Sequence, residues 1–153
     1  MTNTPTPRIV RARRDPETAL PFGAPQWLLY GEDTAGAFSL AIATVDPGGG
    51  PPMHVHERED ETCVVLSGSI EVTIDDRTET LGVGDCAFLP PNIPHRLHNP
   101  GPDPAQMLML VHPPGLEHFL EAMAKLRQEG PVTQEAVQEL IARYNAGELG
   151  PDA

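Results

Sequence analysis

His54 and His56 stand one residue apart, and Glu61 follows after four more. A third histidine, His95, lies beyond a proline-rich corner. Imidazole nitrogens and a carboxylate oxygen are the donors that first-row transition metals take from proteins. On a strand, residues i and i+2 share a face with Cα atoms about 6.5–7 Å apart. An ion with bonds of roughly 2.1 Å fits between two rings so placed. Glu61 sits at an odd offset and faces away if the strand simply continues. It rejoins the histidines only if the chain turns within "ERED" (57–60) and a new strand starts near Glu61. His95 opens the segment "HRLHN" and could supply a fourth ligand from across a sheet. The alternative is an ordinary surface loop leading into a strand.

Donors on distant segments need a frame. Short apolar runs recur between turn signals: 26–31, 37–45, 62–68, 69–75, 85–90, 95–99 and 106–112. "SIEVTI" alternates, with Ile70, Val72 and Ile74 on one face and Glu71 and Thr73 on the other, as a half-buried strand requires. Many short strands with tight turns imply a sandwich or a barrel. After Pro114 the period changes: Leu116, Phe119, Leu120, Met123 and Leu126 recur as on a helix. A second helix is expected after Pro131, with Thr133 as its N-cap, Val137, Leu140, Ile141 and Tyr144 as its apolar stripe, and Gly147 as its stop.

Composition agrees. Eighteen prolines and fourteen glycines in 153 residues favour turns over long helices. The net charge is −12, although the first 14 residues carry +4 through Arg8, Arg11, Arg13 and Arg14. So acidic a body repels phosphate backbones, so no nucleic-acid partner is expected. No apolar run approaches the roughly 18 residues a membrane helix needs. The N-terminus has no apolar signal core, and a cytoplasmic protein is expected. Cys63 and Cys86 both lie in apolar runs and are expected to be small buried hydrophobes rather than redox groups.

These residues together resemble a small single-domain cupin. Its first motif runs glycine, five residues, His-x-His, three or four residues, Glu, six residues, glycine, and Gly48, His54, His56, Glu61 and Gly68 fit every spacing. In its second motif Gly84, Pro90, His95 and Asn99 fit, while Asn92 stands where glycine is usual. Asparagine is the residue that most readily replaces glycine at positive φ, so the turn is expected to survive. The resemblance implies a mainly β fold: a cupin jelly-roll β-barrel with two short C-terminal helices. It divides the chain into an N-terminal arm or edge strand (1–25), the barrel (26–112) and a helical extension packed on it (113–153). It also implies that His54, His56, Glu61 and His95 ligate a divalent transition metal, namely Fe, Ni, Mn, Cu or Zn.

Residues 26 to about 125 further resemble the bacterial quercetin-dioxygenase-like subgroup. That likeness implies a small aromatic or flavonol-like substrate bound to the metal, O2 as co-substrate, and Glu61 as both ligand and general base. Cys63 stands where relatives commonly carry an aromatic residue, and alternation puts it on the inward face with Glu61. A smaller-walled cavity follows. The alternative function is a non-redox metal-dependent cupin, such as an isomerase, or a small-molecule-binding cupin without oxygenase activity. A homodimer is implied as well, with "RIVRA" (8–12) as the candidate exchanged strand. His98, His112 and His118 are expected to be surface or otherwise satisfied histidines, and Arg96 a surface charge.

Overall fold

The computed structural model describes residues 5–11 and 24–144. Eight strands come first: β1 (Ala24–Leu29), β2 (Ser39–Val45), β3 (Asp60–Ser67), β4 (Ile70–Ile74), β5 (Arg77–Leu81), β6 (Cys86–Leu89), β7 (His95–His98) and β8 (Ala105–His112). Two helices follow, α1 (Leu116–Glu129) and α2 (Gln134–Tyr144). The strands form a five-stranded sheet in the order β1-β2-β8-β3-β6 and a three-stranded sheet in the order β5-β4-β7. Every strand pairing is antiparallel. This is the expected mainly β jelly roll with two helices after it.

Period-two alternation decides what fills the interior. β2 turns Ala41, Ala43 and Val45 inward, and β8 turns in Met107, Met109 and Val111. The smaller sheet contributes Ile70, Val72 and Leu97. All belong to one apolar cluster, and each large buried side chain in it is worth roughly 1.5–3 kcal/mol. α1 adds Leu116, Phe119 and Met123 to the same cluster. α2 has no fully buried residue, but Val137, Leu140, Ile141 and Tyr144 pack against it as a half-buried stripe. Thr133 caps α2 as expected, its hydroxyl accepting from the Ala136 N–H at 3.2 Å. Gly147 lies outside the described residues.

The structure departs from the sequence reading at particular places. No strand was expected over β5, whose residues are exposed from Arg77 to Thr80 and half-buried at Leu81. Among the described residues β5 pairs only with β4, and a polar edge strand suits a position that water and one neighbour share. β1 begins at Ala24 and stops at Leu29, because the chain then enters a 3-10 turn at Gly31–Thr34. Cys63 is buried, but Cys86 is exposed, contrary to expectation. On β6 it is Ala87 and Leu89 that face inward, so alternation sends Cys86 outward with Phe88.

One polar contact anchors the helices to the sheet. Glu117 is fully buried and accepts from the Gly31 N–H at 3.0 Å and the Gly115 N–H at 2.8 Å. A Cβ on Gly31 would come within 2.7 Å of Pro114, so the two connections touch backbone to ring. Burial alone would raise the Glu117 pKa, but the backbone N–H donors outweigh it and hold the carboxyl below its usual value.

Candidate metal centre

The site rests on a loop that only glycine permits. Gly50 has φ +131°, and a Cβ there would sit 1.9 Å from the Leu97 carbonyl oxygen. The 48–52 segment therefore lies directly on β7. The Gly48 N–H donates to Asn99 O at 2.9 Å, and the Asn99 N–H donates to Gly49 O at 3.0 Å. The Asn99 side chain is itself buried and donates to Val45 O at 2.9 Å and Asp103 O at 2.8 Å. With the loop so held, His54 pairs with His95 as an antiparallel bridge, with N–H to O distances of 3.0 and 2.9 Å. His54 and His95 thus come from one continuous patch of backbone.

Glu61 returns by the turn that the sequence required. The chain bends at Glu57 and Arg58, and β3 starts at Asp60. Asn92, at φ +64°, donates its N–H to His56 O at 2.7 Å and its side-chain amide to Glu57 O at 3.4 Å. The proline-rich corner therefore clasps the bend. β3 lies between β8 and β6 with Glu61 opposite Val111 and Leu89, and its inward face carries Glu61, Cys63 and Val65.

The result is a buried cluster of the four residues expected from the sequence. His54 is 8% exposed, His56 6%, Glu61 3% and His95 1%, so bulk water reaches none of them freely. One donor atom from each lies within 4.8 Å of all the others. Glu61 Oε2 is 3.5 Å from His56 Nε2 and 3.7 Å from His95 Nε2. Two atoms sharing an ion at about 2.1 Å each are separated by roughly 3–3.5 Å. Small adjustments close the difference.

Ring orientation favours the same use. His54 Nδ1 is 2.8 Å from Pro52 O, and His95 Nδ1 is 2.9 Å from Ile93 O. Each carbonyl takes the Nδ1–H and so leaves Nε2 with a lone pair for the site. His95 Nε2 is buried with no hydrogen-bond partner, a costly state that a cation would relieve. Burial lowers the pKa of His54 to about 4, helped by the neighbouring His56 and His95. Burial alone would raise Glu61, yet the adjacent imidazoles of His56 and His95 hold it well below its usual value. A neutral His54 and an ionised carboxylate are the protonation states that metal ligation needs.

The remaining histidines lie elsewhere. His98 Nδ1 is 3.2 Å from Glu71 Oε2, His112 Nδ1 faces Ala37 O, and His118 Nε2 is 2.9 Å from Glu32 Oε1. Arg96 is exposed. Two features were not foreseen. Cys63 donates its thiol to Glu61 Oε1 at 3.2 Å, although alternation had already placed both side chains on one face. Glu59, taken as part of a polar turn, is 2% exposed, and its Oε2 is buried without a hydrogen-bond partner. Its spacing of two residues from Glu61 was the available signal.

Residues 41–111, the span that carries all four donors, match the family model described as Cupin domain. Over 76 residues the chain is 34% identical to the alginate biosynthesis protein AlgA of Pseudomonas aeruginosa. That match covers 50% of this chain and only 16% of that protein. A structure described as a predicted oxalate decarboxylase from Thermotoga maritima superposes with a TM-score of 0.63 at 21% identity, covering 68% of this chain and 97% of that one. The polyketide cyclase RemF from Streptomyces resistomycificus gives 0.56 at 28% identity, covering 69% and 78%. What the chain shares with these structures is its architecture, the mainly β cupin jelly roll.

Proposed function

We propose that this chain is a metal-dependent dioxygenase acting on a small aromatic or flavonol-like compound. His54, His56, Glu61 and His95 hold the divalent ion, which is Fe, Ni, Mn, Cu or Zn. The observation that carries this reading is the convergence of four buried donors within 4.8 Å, with the rings of His54 and His95 oriented by backbone carbonyls. Four protein ligands leave one or two positions on a five- or six-coordinate ion, which suits a reacting centre better than a closed structural one. When bound, the ion supplies Lewis-acid polarisation of a substrate oxygen and a site for O2 chemistry. The chain's own part is to orient and to move a proton. Glu61 accepts the proton of the substrate hydroxyl, and the buried core residues Met107, Met109 and Leu97 keep the barrel interior apolar.

The test is anaerobic loading with each metal, followed by oxygen-electrode assays with flavonols and catechols. Uptake is expected with at least one metal. Absence of uptake with every metal removes the oxygenase and favours the second reading, a non-redox metal-dependent cupin or a binding protein. That alternative draws support from the 28% identity to a protein named as a polyketide cyclase.

Within this reading, 26–112 is the catalytic barrel and described residues 113–144 are an extension packed on it, while most of the arm expected over 1–25 and the end of the extension expected to 153 lie outside the described residues. The protein works as a cytoplasmic homodimer. The outward face of the larger sheet supports the pairing, because Val64, Leu66, Leu108, Leu110 and Phe88 turn to it, with Phe88 58% and Leu66 42% exposed. Described residues 5–11 are exposed and form no strand, which leaves Arg8, Ile9, Val10 and Arg11 open to pairing with a second copy.

A further inference from the structure

We propose that Cys63 is a positioning residue whose thiol fixes which oxygen of Glu61 meets the metal. This deepens the metal-centre reading and rests on it. Cys63 Sγ donates to Glu61 Oε1 at 3.2 Å. Oε2 lies instead 3.5 Å from His56 Nε2 and 3.7 Å from His95 Nε2. The two carboxylate oxygens therefore have separate partners: one faces the thiol, the other faces the imidazoles.

Strand geometry enforces the division. Residues two apart on β3 share the inward face, and both side chains are buried, Cys63 at 2% and Glu61 at 3% exposure. Hydrogen bonds to a ligating carboxylate set its orientation and are worth roughly 10–100-fold in metal affinity. A thiol is a weak donor, but here the backbone presents it, buried, to one acceptor. With Oε1 so engaged, Oε2 would be the oxygen that Glu61 offers to an ion.

The experiment compares Cys63→Ser, which keeps a donor, with Cys63→Val, which fills the volume without one. Metal-free proteins are titrated with Co(II), and affinity and visible spectrum are read. Cys63→Ser is expected to bind within about 3-fold of wild type, and Cys63→Val to bind about 10-fold or more weakly with a changed spectrum. Thermal unfolding of the metal-free proteins separates folding from binding. Cys63→Val binding like wild type with the same spectrum overturns the proposal while leaving the metal centre standing. Wild-type protein that takes up no Co(II) removes the metal centre itself. Should Cys63→Val not fold, the infrared S–H stretching band decides. That band, identified by its loss in Cys63→Ser, is expected to shift in metal-free Glu61→Gln, and an unshifted band overturns the proposal.

Discussion

His54 and His95 exchange both backbone hydrogen bonds, at 3.0 and 2.9 Å, although 41 positions separate them in the chain. Their rings stand 4.4 Å apart, so one backbone bridge sets the spacing of two donors. The bridge exists because Gly50 lets the preceding loop press on Leu97.

Gly50→Ala tests this directly. A Cβ 1.9 Å from the Leu97 carbonyl must push the loop off β7. A stability loss of about 2–4 kcal/mol is expected by urea unfolding, with weakened metal uptake by the folded fraction. Unchanged stability would show that the loop does not depend on this contact.

Asn92 stands at φ +64°, a region that glycine, asparagine and aspartate tolerate best. Asn92→Ala should cost about 1 kcal/mol, through strain and the lost contact to Glu57. Asn92→Gly should stay within about 0.5 kcal/mol of wild type. If denaturant midpoints rank the two the other way, the positive φ of Asn92 is not what governs this corner.

Glu117 makes stability depend on pH. Its native pKa is held below the usual 4.5 by backbone N–H donors, so the native state binds fewer protons than the unfolded chain in acid. Its contribution is complete above about pH 4.5 and is lost as pH falls through the native value. Glu117→Gln should cost roughly 1.5–3 kcal/mol at pH 7, and less as pH drops below 4. A gap between the two proteins that is equal at pH 7 and pH 3 would contradict this role.

Much of this was legible because period and spacing are local. Alternation put Cys63 beside Glu61, sent His98 outward, and ordered Ile70 and Val72 inward. The odd offset of Glu61 demanded a turn, and the chain bends at Glu57 and Arg58. What escaped depends on neighbours that sequence does not display. β5 is too polar to read as a strand and exists because β4 offers an edge. Cys86 lies in an apolar run, yet its exposure follows from which face β6 turns to the interior. The partners of Glu117 lie 86 residues upstream at Gly31 and at nearby Gly115.

The outer sheet face carries the dimer proposal. Phe88 is 58% exposed there, and Phe88→Glu should convert dimer to monomer by light scattering without lowering the stability of the protomer. A wild-type monomer at micromolar concentration removes the proposal.

The metal-centre proposal has four residues from three segments, His54 with His56, Glu61 and His95, bind one ion. Metal analysis of protein purified without an affinity tag, after incubation with Fe, Ni, Mn, Cu or Zn and removal of free ion, tests it most directly. Wild type is expected to hold a single ion per chain and His54→Ala almost none, with the variant still folded. A wild type that retains no ion, or a His54→Ala protein that retains as much, contradicts it.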